Sequence, residues 1–353
     1  MAIVITKISG KKGNKVIRTA QLFKNMIYPD AIILMYHRVA NLDSDPWSLA
    51  VKPKNFAEHL QIIQKHGYPL HLKKLRKKLS DRHPINRSIV VTFDDGYVDN
   101  FYNAKPLLEK YDIPATFFVT TSVIGYKNEY WWDRLGRILL QPGILPESIN
   151  LDIRGKAYQW KLGVAANYSE MDLFKNRHWR IHDEPNNGPT SRHELYREIY
   201  QILLCLNVHE RDQVLDDLHV KLSDASEYCE SNRQINHEEL IALDREDLIE
   251  VGAHTVTHPY LSELPTALQK AEITNSKDQL EDKLGHTVTS FAYPHGNYNS
   301  KTVSLVKEAG FKCACSCKYK RVKPNNNLFL LPRVAVEDLD GEAFVRWLSR
   351  SVY

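Results

Sequence analysis

Long apolar stretches are missing from this sequence. No run of 18 or more apolar residues occurs in its 353 positions, so no transmembrane helix is expected. A secretory leader is not expected either, because the start, Met1-Ala2-Ile3-Val4-Ile5-Thr6-Lys7, carries its charge after the short apolar run rather than before it. Neither sign of charge dominates: 47 Lys and Arg against 43 Asp and Glu leave a net +4. That balance, with no recognition motif beside it, argues against a nucleic-acid partner. Cysteine is scarce and odd in number, at five, and free thiols fit a reducing cytoplasm, the expected location. Three of the five fall in Cys313-Ala314-Cys315-Ser316-Cys317. Alternation at that spacing fits a strand with its sulfurs buried on one face, whereas a zinc knuckle uses a C-x-x-C pair. No G-x-G-x-x-G follows any apolar run, which removes the main support for a dinucleotide fold.

What is present is a rhythm. Apolar runs of the fully buried kind occur at 32–36, 89–93, 115–119, 248–253, 290–293, 312–317 and 328–331. Helical faces lie between most of them: Phe56, Leu60 and Ile63; Ala104, Leu107, Leu108 and Tyr111; Val303, Val306 and Ala309. Strand–helix alternation implies parallel strands with crossover helices. The spacing therefore predicts an α/β fold, a closed or nearly closed barrel of about seven parallel strands. The rhythm breaks between 126 and 247, where a Pro/Asn/Gly turn at 185–189 precedes helical stretches at 194–206 and 211–222. We read 126–247 as a mostly helical inserted cap, 30–125 and 248–353 as the barrel, and 1–29 as an N-terminal extension. Within that extension, 16–28 mixes Ile17, Phe23, Met26 and Ile27 with Arg18 and Lys24. Such a segment packs on the protein itself or rests on a membrane surface as an amphipathic helix.

The chemistry gathers at two strand ends. The run through Phe93 enters Asp94-Asp95-Gly96-Tyr97, and two carboxylates at a buried strand end are costly unless a cation meets them. The plain alternative is an Asp-Asp-Gly turn without function. Adjacent side chains on an extended strand diverge, so the two aspartates are expected to do different jobs. The run through Ala253 enters His254-Thr255-Val256-Thr257-His258-Pro259, where Pro259 disfavours helix at His258. In a barrel both ends lie on the C-terminal face, where active sites form. One carboxylate and two imidazoles make a three-ligand metal site with open positions, as catalytic zinc requires and as non-haem iron oxygenases also use. The spare aspartate favours hydrolysis.

At these residues the sequence resembles the polysaccharide deacetylases, carbohydrate esterase family 4, with its NodB-homology domain. Thr92-Phe93-Asp94-Asp95-Gly96-Tyr97 and the His254–Pro259 segment look like its first two signature motifs. Leu34-Met35-Tyr36-His37-Arg38-Val39, Ala115-Thr116-Phe117-Phe118-Val119 and Phe291-Ala292-Tyr293-Pro294-His295-Gly296 resemble further ones. The resemblance covers roughly 30–125 and 248–335. It implies a distorted (β/α) barrel of about seven parallel strands, and hydrolysis of N-acetyl groups on glycans with a divalent metal, zinc (Zn2+) first. It also implies Asp94 as base and Asp95, His254 and His258 as metal ligands.

Two family features are absent. The Arg that braces the base is replaced by Ala292 in Ala292-Tyr293-Pro294-His295, and Arg333 is the candidate to take its place. The late Leu-x-His motif that supplies the general acid is not evident, leaving His37 as first candidate and His295 as second. The backbone N–H of His295 is also the expected donor to an oxyanion. Tyr97, Tyr293, Trp131 and Trp132 are expected to meet substrate, since amphipathic rings stack well on sugars. The expected partner is an N-acetylated glycan or sugar intermediate. A small-molecule amide or formamide hydrolase and a non-catalytic carbohydrate-binding relative are the other readings of this scaffold.

Overall fold

The computed structural model describes residues 30–125, 129–183, 188–222, 229–244 and 247–350. The extension 1–29 with its amphipathic stretch 16–28, and the turn residues 185–187, lie outside the described residues. Seven parallel strands run in chain order: β1 (Ile32–Tyr36), β2 (Ser88–Phe93), β3 (Ala115–Val119), β4 (Ile249–Ala253), β5 (Ser290–Ala292), β6 (Cys313–Cys315) and β7 (Val334–Ala335). Their order across the sheet is β6-β5-β4-β3-β2-β1-β7, each neighbour parallel, which is the expected distorted barrel.

The strands are buried on both faces because they separate two apolar layers. Leu34, Tyr36, Val91, Phe93, Phe117 and Val119 point out into a core shared with the surrounding helices, including Phe56, Leu60 and Ile63 of Pro53–His66. Ile33, Val90, Phe118, Ala292, Cys313 and Cys315 point into the barrel. There they meet Leu72, Leu75 and Leu79 of the helix Leu72–Ser80, which closes the N-terminal mouth. Cys313 and Cys315 are buried as their alternation suggested, but Cys317 lies past the strand and is exposed.

One strand is displaced from its expected place. The run 328–331 is turn rather than strand: Asn327 takes the Leu330 N–H on its carbonyl and the Phe329 N–H on its side chain. An Asn that holds nearby backbone competes with a ladder, and Pro332 has no N–H to give one. The segment still bonds to β6, with Leu331 N–H donating to Ala314 O at 2.9 Å and Ser316 N–H to Leu331 O at 2.8 Å. It then continues into β7 beside β1, so it bridges the two edges of the sheet.

The stretch between β3 and β4 carries its own apolar cluster, built on Leu135, Leu139, Tyr196, Ile199, Leu203, Leu215 and Leu218. Its helices include Trp131–Leu140, Ser191–Leu204 and Val208–Leu222. It also holds an antiparallel hairpin, Ser148–Ile153 with Lys156–Lys161, that the helical expectation did not include. The buried positions there, Ile149, Leu151 and Ile153, alternate strictly with exposed ones. No described helix is long and apolar enough to cross a membrane.

Candidate active site

Asp94 and His254 each follow the last residue of a strand and are still held by the neighbouring strand. Asp94 N–H donates to Tyr36 O and His254 N–H to Val119 O, both at 3.0 Å. The chain then turns sharply: φ is +73° at Asp95, +74° at Gly96, +65° at Thr255 and +58° at His258. These turns aim Asp95 and both imidazoles at one point. Their ligand atoms all lie within 4.8 Å of one another. Nε2 of His258 is 3.3 Å and Nε2 of His254 is 3.6 Å from the same oxygen, Oδ1 of Asp95. That oxygen is buried without a hydrogen-bond partner, as a position reserved for a cation would be.

The tautomer of His254 is fixed. Its Nδ1 lies 2.9 Å from Ala292 O, a carbonyl that can only accept, so Nδ1 carries the proton and Nε2 keeps its lone pair for the centre. Burial pushes this imidazole down to about 4, only partly opposed by Asp94, so it is neutral near pH 7. Burial alone would raise Asp95, but His258, with His37 and His254, holds its carboxyl well below the usual range. The donor set and the orphaned oxygen fit a divalent ion with open positions.

Asp94 has a different main partner, although its Oδ2 lies 4.0 Å from Nε2 of His254. Arg333 grips it with two bonds, NH1 to Oδ1 at 2.6 Å and NH2 to Oδ2 at 2.7 Å. The guanidinium is fully buried, and its Nε donates to Ser316 O at 3.2 Å. Burial raises the Asp94 carboxyl, and Arg333 first, then His254 and His37, more than offset it, leaving it below its ordinary value. Arg333 is thus where a brace for the base would be.

The remaining expected residues divide. His37 follows β1, is half-buried, and adds to the positive charge acting on both aspartates. His295, at φ +56°, packs edge-on to His258 with ring centroids 4.4 Å apart and stacks on Tyr260 at 4.0 Å. Trp131 borders a cavity of about 300 Å³ together with His258, Tyr260, His295 and Arg211. Three of the four rings expected to meet substrate are interior. Tyr97 is wholly buried, its hydroxyl donating to Asp133 and accepting from Trp132. Tyr293 is wholly buried and donates to Phe329 O. Trp132 is 6% exposed, stacked on Tyr130 at 4.2 Å and tilted against His258 at 5.3 Å. Tyr97 and Trp132 belong to the apolar cluster of the insertion, and Tyr293 to the core of the barrel.

Two supporting groups escaped the sequence reading. Tyr130, expected only as part of an aromatic run, donates its hydroxyl to Asp95 O at 2.7 Å. Glu272 collects Val256 N–H at 2.8 Å, Thr257 N–H at 2.9 Å and Thr257 Oγ1 at 2.7 Å, fixing the loop between the histidines. Nothing local marks Glu272, which lies one helix further on.

Comparison with known proteins agrees. The family model described as polysaccharide deacetylase matches residues 81–143 and 212–314. The chain is similar to Bacillus subtilis YxkH, a protein named for the same family, at 34% identity over 122 residues. That stretch is 34% of this chain and only 42% of the Bacillus protein. It is similar to the Staphylococcus aureus poly-beta-1,6-N-acetyl-D-glucosamine N-deacetylase at 22% identity over 334 residues, 91% of this chain and 82% of that one. Among solved structures, IcaB from Ammonifex degensii shares the fold with TM-score 0.55 at 17% identity, covering 92% of this chain and 98% of that one. Streptococcus pyogenes deacetylase PplD, solved with acetate, gives TM-score 0.51 at 20% identity, covering 90% and 97%.

Proposed function

We propose that this chain, which the polysaccharide deacetylase family model matches over residues 81–143 and 212–314, hydrolyses N-acetyl groups on an amino-sugar polysaccharide or its precursor. Asp95, His254 and His258 hold a divalent metal, zinc first, and Asp94 is the base. The supporting observation is the pairing of two carboxylates with opposite surroundings, one facing two imidazoles and one gripped by Arg333. Bound there, the ion supplies Lewis acidity to the amide carbonyl and the attacking water.

The chain's own residues do the rest. Asp94, held as the anion by Arg333, accepts a proton from the water as its oxygen bonds to the acetyl carbon. The backbone N–H of His295 donates to the developing oxyanion. His37 hands a proton to the nitrogen as the C–N bond breaks, leaving acetate and a free amine. The cavity beside His258 and Trp131 receives the sugar next to the reacting one. Acetate release from N-acetylglucosamine oligomers, with metal content measured on the same sample, tests this. Asp94→Asn protein that retains its metal and turns over at the parent's rate would refute the role given to Asp94.

A further inference from the structure

A closed circuit of rings joins the histidine pair to the insertion. His258 is tilted against Trp132 at 5.3 Å, Trp132 meets Trp131 edge-on at 5.5 Å, and Trp131 stacks on Tyr200 at 4.7 Å. Tyr200 shares a hydrogen bond with Tyr260, which stacks on His295 at 4.0 Å, and His295 returns to His258 at 4.4 Å. Trp131, Tyr260, His258 and His295 border the cavity of about 300 Å³, and aliphatic side chains such as Leu206, Leu264 and Leu268 make up much of its remaining wall. Among the described residues that wall holds one Lys or Arg, Arg211, whose guanidinium carbon lies 4.9 Å from the ring centroid of Trp131.

Arg211 lacks the partners that other interior arginines have. Arg38 is matched by Asp99, Arg333 by Asp94, and Arg192 by five carbonyls. Arg211 is half-buried, yet it forms no ion pair among the described residues. Its single hydrogen bond is a long one, to Leu206 O at 3.5 Å, and its Nε is buried without a partner. Burial pulls the guanidinium below its ordinary value, and Asp212 and the phenol of Tyr200 only partly oppose this. Of the two carboxylates on the cavity wall, Glu272 is taken up by the Val256–Thr257 loop, and Glu263 is not among the groups acting on Arg211. A cation withdrawn from water without a counter-charge is costly, and its planar fork of donors matches a carboxylate.

We propose that the sugar beside the reacting one carries a carboxylate that Arg211 binds, so that the chain selects an acidic glycan. This deepens the deacetylase reading and rests on it for the reacting sugar. The charge count favours a carboxylate over a phosphate monoester. One guanidinium balances one negative charge, and Glu263 and Glu272 on the same wall repel a second. The rings and aliphatic side chains suit the apolar faces of a sugar, and the little water they admit strengthens the ion pair.

The test compares a hyaluronan tetrasaccharide, which alternates N-acetylglucosamine with glucuronic acid, against its methyl ester, the same sugars with the charge removed. Calorimetric titration of the full chain with zinc in the buffer should show the acid binding roughly tenfold tighter, the yield of one charge-assisted pair. Arg211→Gln should bind acid and ester alike, and Arg211→Lys should keep part of the preference. Lys175→Gln, which removes an exposed lysine elsewhere on the insertion, should keep all of it. In acetate release the preference should appear in KM and not in kcat, since Arg211 holds the neighbour and not the reacting group. Equal affinities for acid and ester in the parent overturn the proposal, and that comparison needs no variant to fold. A preference that survives in Arg211→Gln, or one lost equally in Lys175→Gln, overturns it as well. Displacement of the tetrasaccharide by inorganic phosphate at lower concentration than by glucuronate overturns the carboxylate assignment. An intact affinity difference with no acetate released from either sugar would count against the hydrolysis alone, so the two readings fail separately.

Discussion

Replacing Arg333 by Met removes a buried cation that makes two short bonds to Asp94 and one to Ser316 O. The pair is wholly interior, with side-chain exposures of 0% and 3%. Breaking such a pair by removing one partner leaves an uncompensated charge and costs about 3–5 kcal/mol. In the parent, Asp94 is depressed, so its contribution to stability is present above the unfolded carboxyl value and is lost as pH falls. In Arg333→Met, burial, which raises this carboxyl, faces much weaker opposition, and the sign reverses. The folded state then prefers the proton, and the penalty grows as pH rises above about 4. Denaturant melts at several pH values read this directly. The acid limb of kcat/KM for acetate release should move upward in parallel, because the base is protonated over more of the range. The Asp94→Asn/Arg333→Met protein should lose less stability than the two single variants together, by about 0.5–3 kcal/mol. An Arg333→Met protein within about 1 kcal/mol of the parent, with an unmoved acid limb, would refute this account of the clamp.

Other substitutions separate the roles. Asp94→Asn should cost roughly 10²–10⁴-fold in acetate release while metal content is kept, whereas His254→Ala and His258→Ala should lose both, as elemental analysis will read. Tyr130→Phe removes only the hydroxyl that holds Asp95 O. Metal affinity should fall by roughly fivefold, about 1 kcal/mol for one buried bond, while Tyr97→Phe, also buried, should leave it unchanged; equal affinities would end this reading of Tyr130. His59 is fully buried and burial pushes it down to about 4, against 6.5 in the unfolded chain. Its neutral form stabilises the fold above pH 6.5, and that contribution, about 3 kcal/mol, is lost as pH falls from 6.5 toward 4. The denaturation midpoint of His59→Gln should therefore vary less over that window than the parent's, and an identical slope would count against it.

The barrel was legible because its strands are buried on both faces, so each reads as an unbroken apolar run; β1, β2 and β3 fall within a residue of their expected bounds. The hairpin at 148–161 was not read, since only one face of its first strand is covered and its second strand, with Lys156 and Lys161, is mostly exposed. The meeting of Asp95 with His254 and His258 followed from strand ends on one barrel face. Of its tertiary supports, Arg333 was expected as the brace, whereas Tyr130 and Glu272, 35 and 15–16 positions from the groups they hold, carry no local pattern. The aromatics misled for a related reason. Tyr97 and Trp132 have the composition of a sugar platform, but they join the apolar cluster of the insertion, while Tyr293 packs into the barrel's own core on Phe291 and Tyr298.

The left-handed backbone shows what convergence costs here. Of nine described non-glycine residues with positive φ, four are Asp95, Thr255, His258 and His295. Thr255 is β-branched, for which such a conformation is an outlier. At about 1–3 kcal/mol each, the four together approach the whole stability of an ordinary domain. They persist because hydrogen bonds hold these turns. Tyr130 bonds the carbonyl of Asp95, Thr121 N–H bonds the carbonyl of Thr255, and the Thr255 hydroxyl accepts the N–H of His258. None of these bonds touches a ligand atom. An extended continuation of β2 and β4 would relieve the strain, but it would turn Asp95 to the outer face with Val91 and Phe93 and carry His258 past the barrel mouth. The strain is therefore the geometric condition for three ligands from two strand ends to share one point, which ties the fold's least comfortable residues to its proposed chemistry.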